Sequence, residues 1–220
     1  MSAPSAARLT EAALVLAAAL ALVAGFADGI AYLRWHLFAA NMTGNTVLLG
    51  LALIRGDSAT ILGALAPIAS LVLGAAVASA VRDRFGRGIP LLLEALMLAI
   101  ASLVLRSVQL EIIAFAMGIQ NQAIRTFAGI TVNTSFITGD YAQAGTALVD
   151  VLSAPRRARG QRTLAIVSAL ATAYALGAAA AALLNAKMPH ALLLPVPIVL
   201  AIAYGVRRGD AGEAQPPSQA

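Results

Sequence analysis

In a chain of 220 residues, 60% are hydrophobic, only 11% are charged and the mean hydropathy is +0.84. Soluble domains carry roughly a quarter charged residues, so this composition points to an integral membrane protein and leaves no length for a separate soluble catalytic domain. The net charge of +5 rests on Arg residues and one Lys held mostly in short connecting stretches, the pattern of topology signals rather than of a nucleic-acid surface. Cysteine is absent and the histidines are His36 and His190 alone, so no disulfide, thiolate chemistry, metal centre or cofactor is expected.

Eight apolar segments follow one another: Ala12 to Leu33, Thr43 to Ile54, Ile61 to Val81, Ile89 to Leu105, Leu110 to Ile124, Gly139 to Leu152, Leu164 to Leu184 and Leu192 to Val206. The first, with Arg8 ahead of it and Ala24 and Ala27 near its end, has the outline of a signal peptide. It is expected to be retained, because Gly25-Phe26-Ala27-Asp28 returns as Gly118-Ile119-Gln120-Asn121. The second opens on Asn41-Met42-Thr43-Gly44-Asn45, which returns in altered form as Phe136-Ile137-Thr138-Gly139-Asp140. Thr43, Gly44, Gly50, Ala52 and Leu53 match Thr138, Gly139, Gly145, Ala147 and Leu148 at one offset. Further along, Leu73-Gly74-Ala75-Ala76 matches Leu176-Gly177-Ala178-Ala179, and Leu91-Leu92-Leu93 with Arg106 matches Leu192-Leu193-Leu194 with Arg207. The chain therefore reads as a single membrane domain, 1–220, holding two copies of a four-segment unit. Repeat one covers 11–106, repeat two 107–208, and a polar Pro/Gln tail, 209–220, is expected to be disordered.

Thr43 to Ile54 has 12 residues, whereas a spanning helix needs about 20. Ahead of it and of its counterpart lie connectors that read as non-helical, Trp35 to Asn41 and Gly129 to Ser135. Either these short segments are re-entrant, leaving six crossings, or they span in full, giving eight. Loop charge favours six. With the N-terminus cytoplasmic, eight crossings put Arg34, Arg82, Arg84, Arg87, Arg125 and Lys187 outside and nine basic residues inside. Six crossings leave Arg34, Arg55, Arg106 and Lys187 outside and eleven inside, in better accord with the positive-inside rule. An odd number of crossings per unit also inverts one repeat relative to the other. Matched loops then face opposite sides and should differ in charge, as the basic run from Arg156 to Arg162 differs from the balanced Arg55-Gly56-Asp57. The expected fold is thus all-α, six transmembrane helices in two inverted repeats, each with a broken or re-entrant half-helix.

Thr followed by Gly and then Asn or Asp has the composition of a helix start. In the inverted arrangement the starts at Thr43 and Thr138 converge near the midplane, where helix N-termini offer N–H groups and partial positive charge. Broken helices at matching points of two repeats mark a transporter's binding site. Asn45 and Asp140 are equivalent; either caps its half-helix, and Asp140 either carries a cation or proton or merely neutralises its own terminus. Asp28 and Asn121, with Gln120 beside the latter, either line a path or bond helices together. Glu94 is placed near the interface rather than in a pore, Arg125 is expected to snorkel to the surface, and Gly25, Gly29, Gly74 and Gly177 read as close-packing positions. The sequons Asn41-Met42-Thr43 and Asn133-Thr134-Ser135 are discounted, since they would lie within the membrane and the Ala- and Arg-rich composition suggests a bacterium.

Taken together, Gly25-Phe26-Ala27-Asp28, Asn41-Met42-Thr43-Gly44-Asn45, Gly118-Ile119-Gln120-Asn121 and Thr138-Gly139 resemble the YoaK-type bacterial inner-membrane proteins, a family of unknown function. The resemblance covers nearly the whole chain and implies a bacterial plasma-membrane protein with about six transmembrane helices. It brings no substrate and no catalytic residue with it. No nucleophile–base pair, phosphate loop or paired metal ligands can be assembled, so no enzyme is expected. The leading expectation is a small permease or channel for a small polar or anionic solute, its site formed by Asp28, Asn41, Thr43, Gly44, Asn45, Gln120, Asn121, Thr138, Gly139 and Asp140. The alternative is a non-transporting membrane scaffold or partner subunit. The expected partners are the lipid bilayer and a small-molecule solute but no nucleic acid, with a homo-oligomer left open. The expected location is the bacterial plasma membrane, multi-pass, with both termini cytoplasmic.

Overall fold

A computed structural model describes residues 3–123, 126–127, 130–131 and 137–213. Eight helices form among them: α1 (Ala3–Trp35), α2 (Met42–Arg55), α3 (Ser58–Phe85), α4 (Gly88–Leu103), α5 (Arg106–Ala123), α6 (Ile137–Leu152), α7 (Arg157–Asn185) and α8 (Val196–Glu213), with a three-ten turn at Ala191–Leu193. One short extended pairing, Thr126 with Thr131 and Phe127 with Ile130, follows α5, its second strand lying in the connector expected to be non-helical, Gly129 to Ser135. The rest of that connector, together with Arg125 and Phe136, lies outside the described residues. So does 214–220, while α8 continues to Glu213, into the stretch expected to be disordered.

Helix ends follow local chemistry. Helix α1 stops at His36, which adopts φ 56, a left-handed conformation few non-glycine residues take. The α2–α3 reversal uses Gly56 at φ 67, whose N–H reaches the Leu53 carbonyl while Asp57 N–H reaches Ala52, so orphan carbonyls at the end of α2 are satisfied. Asp57 then caps α3, accepting from Thr60 N–H at 3.1 Å and from the Thr60 hydroxyl at 2.6 Å. Those two bonds hold the exposed Asp57 carboxyl below the usual carboxylate range. Pro90 is tolerated in the first turn of α4, whereas buried Pro67 removes a hydrogen bond from the middle of α3.

Helix α1 packs along α7 and α3 packs along α5, each pair through small residues. A Cβ on Gly25 would overlap the Tyr174 carbonyl, and one on Gly177 the Leu22 carbonyl. In the other pair a Cβ on Gly118 would overlap the Leu71 carbonyl, and one on Gly74 the Phe115 carbonyl. These contacts correspond position for position under the sequence repeat, so the close-packing expected of Gly25, Gly74 and Gly177 holds. Helix α4 packs on α5 and α8, α2 on α3, and α6 on α7.

The bundle has two distinct ends. At one, Arg34 at the end of α1 donates to Asn185 at the end of α7 (2.7 Å) and to Gln109 at the start of α5 (2.6 Å). Gln109 donates in turn to the Ala101 carbonyl near the end of α4, at 2.6 Å. At the other end, Arg82 near the end of α3 donates to the Gln122 carbonyl near the end of α5, at 2.8 Å, and Gly88 at the start of α4 lies against Arg207 of α8.

Four helical stretches among the described residues are long and apolar enough to cross a membrane: Glu11–Trp35, Ser58–Phe85, Arg157–Asn185 and Ala191–Arg208. Helix α4 is apolar but only 16 residues long. Large apolar side chains such as Leu62, Leu73, Leu176 and Leu183 face outward from these stretches, as a lipid-facing surface requires and a water-facing one would not tolerate.

Candidate functional site

Beyond His36 the chain turns back along α1. The Asp28 carboxylate, buried on α1, accepts from the N–H groups of Ala39 (2.7 Å), Ala40 (2.6 Å) and Asn41 (3.1 Å), and from the Tyr174 hydroxyl on α7. Asp28 lies seven residues before Trp35, so at 1.5 Å per residue the connector descends roughly 10 Å inside the end of α1 before α2 begins. The Asp28 carboxyl group thus satisfies, from within the protein, the backbone N–H groups of the connector that leads into α2. The first-turn donors are partly used as well, Met42 N–H on the Ala40 carbonyl and Gly44 N–H on the Asn41 carbonyl.

The Asn-Met-Thr-Gly-Asn signature works differently from a simple cap. Asn41 occupies the N-cap position without a side-chain cap bond. Asn45, fully buried, reaches back to Phe38 instead: its Oδ1 accepts from Phe38 N–H at 2.9 Å and its Nδ2 donates to the Phe38 carbonyl at 2.7 Å. Gly44 leaves room for the Phe38 ring, which a Cβ would meet at 2.7 Å, and that ring stacks on Tyr32. Thr43 is exposed.

Asp28, Asn41, Gly44 and Asn45 are thus brought together, with Phe38 and Tyr174 as members that the sequence reading missed. Tyr174 carried one signal, its place three residues before Gly177 on α7; Phe38 carried none. Helix α6 contains Thr138, Gly139 and Asp140 in its first turn. A Cβ on Gly139 would meet nothing within 4 Å, and Asp140 is buried with Oδ2 lacking a partner among the described residues. Gln120 is buried and donates to the Leu20 carbonyl of α1 at 3.0 Å, which makes it a helix-to-helix tether, and Asn121 beside it is half-buried near the end of α5. Among the described residues, α2 rests mainly on α3 and α6 on α7. Glu94, expected near the interface, has no exposed surface and no partner for either oxygen among the described residues. Leu91 and Leu98, three residues before it and four after, are buried on the same face of α4.

Residues 16–205, which include both breaks, match the family described as protein of unknown function, DUF1275. The chain belongs to this family. It is similar to UPF0700 transmembrane protein RA0705 of Rhizobium meliloti (strain 1021), 32% identical over 143 residues, 64% of each chain. It is also similar to UPF0700 transmembrane protein YoaK of Bacillus subtilis (strain 168), 43% identical over 61 residues, 27% of each chain. The matched stretches thus span less than two thirds of these relatives' length. No solved structure matches. With transmembrane relatives and long apolar helices, this DUF1275 chain is a membrane protein, and its resemblance to YoaK-type proteins holds.

Proposed function

We propose that the chain is a non-enzymatic permease or channel of the bacterial plasma membrane for a small polar or anionic solute. It crosses six times, as two inverted repeats, with both termini cytoplasmic. The observation that carries this reading is the turn of the chain back along α1, which starts α2 roughly 10 Å inside the end of α1. Irregular backbone at that depth is tolerated in a membrane only where protein or a wet cavity surrounds it. Such breaks in corresponding halves accompany substrate sites in transporters.

Support for inversion comes from the hydrogen bonds at the two ends of the bundle. Helices α1 and α7 finish at one end, where α5 starts, while α3 and α5 finish at the other. The chain between α1 and α3 therefore leaves and returns at one end, and the chain between α5 and α7 at the opposite end. The first break is filled by Asp28 and Asn45. We assign the solute to the second, where Gly139 has open space and Asp140 Oδ2 is unpartnered among the described residues.

A scaffold or partner-subunit role has one observation in its favour, the complete internal use of Asp28 and Asn45 at the first break. Proteoliposome flux separates the two. A panel of small polar and anionic solutes should include at least one that enters faster than into empty liposomes and that slows in Asp140→Asn without loss of fold. Absence of flux for every solute, with Asp140→Asn silent in cells, would favour the scaffold.

A further inference from the structure

Glu94 lies on α4 without exposed surface, and neither carboxylate oxygen has a partner among the described residues. Leu91 and Leu98, three residues before it and four after, are buried with it, as is the adjacent Ala95. Helix α4 packs against α3, α5, α8 and the Ala191–Leu193 turn, and the charged groups of those elements cluster at their ends. On α3 these are Arg82, Asp83 and Arg84, with Arg82 bonded to Asp83 and to the Gln122 carbonyl. On α5 they are Arg106 and Glu111, and on α8 Arg207 and Arg208. His190, ahead of the turn, faces the Ser102 carbonyl. None of these groups pairs with Glu94.

A carboxylate so placed has no donor or counter-ion among the described residues, and charge is not sustained in such surroundings. A metal cation would need several oxygen ligands, which Leu91, Ala95 and Leu98 do not offer. A proton needs only the carboxylate itself. The repeat does not require the residue, since Leu192-Leu193-Leu194 is followed by Pro195 where Leu91-Leu92-Leu93 is followed by Glu94.

We propose that Glu94 is a reversible proton-binding site inside the helix bundle, between α4 and its packing partners. One proton adds to the carboxylate to give the neutral acid and leaves again when the packing of α4 on α8 opens. Glu94 lies six residues from Gly88, roughly 9 Å along the helix, and the contact of Gly88 with Arg207 and the Ala203 carbonyl closes that end. The site stands whether or not the solute reading holds, because its test involves no solute.

The test uses dicyclohexylcarbodiimide, which reacts with protonated carboxyl groups in apolar surroundings, on the full chain in detergent, followed by peptide mass mapping. An adduct at Glu94 at neutral pH is expected, declining through an alkaline series and absent from Glu94→Gln. An infrared spectrum of protein carrying isotope-labelled glutamate should show a protonated carboxyl band that the same substitution removes. Absence of both adduct and band would overturn the proposal, as would an adduct that does not change with pH. If Glu94→Gln does not fold, the wild-type map decides alone: a pH-dependent adduct at Glu94 supports the site, and none at any pH overturns it.

Discussion

Phe38 is the residue around which the first signature is built. Gly44 makes room for its ring and Asn45 holds its backbone on both sides. Gly44→Ala should therefore lower the melting temperature, and adding Phe38→Ala should recover part of that loss, a coupling that a double-mutant cycle reads directly. Asn45→Ala strands the N–H and carbonyl of Phe38 and should cost about 1–3 kcal/mol in denaturant unfolding. The matched change Gly139→Ala should be close to neutral, since open space lies there. At Asp57 the depressed carboxyl fixes the sign of a pH effect. The cap is fully formed above the ordinary carboxylate range and is lost as pH falls through the lowered value, so amide exchange at Thr60 should quicken only in acid. Thr-Gly-Asn was legible as a helix start. The partner of Asn45 was not, because it depends on the reversal at His36, which no Gly or Asn announces.

Between elements, the two glycine-lined pairs should respond alike. Gly25→Val and Gly118→Val each force a side chain into a facing carbonyl, of Tyr174 in one pair and Leu71 in the other, and each should abolish folding or markedly lower the melting temperature. Gly50→Ala and Gly145→Ala, in short helices with nothing within 4 Å, should instead stabilise by about 0.5–1 kcal/mol. The close-packing role was legible from small residues at helical spacing. The burial of Glu94 was not, because it depends on which face of α4 meets α5 and α8, and the pattern of α4 alone does not choose. Removing an unpartnered buried carboxyl also sets a direction: Glu94→Leu should raise the melting temperature, not lower it.

For the molecule as a whole, segment count and helix content were legible from apolar runs, and the membrane setting from composition. What apolar length could not convey is which helix ends meet across the bundle. That information resides in polar contacts far apart in sequence, such as Arg34 with Asn185 and Arg82 with Gln122. In the proposed arrangement α2 and α6 are re-entrant from opposite sides of the membrane. The absence of native cysteine allows single cysteines at Ala59, Ser107 and Arg84, all exposed, to be labelled in intact cells with a membrane-impermeant thiol reagent. Six crossings predict labelling at 59 and 107 and protection at 84. Labelling at 84 with protection at 59 and 107 would contradict the proposed arrangement and, with the N-terminus cytoplasmic, would mean eight crossings instead.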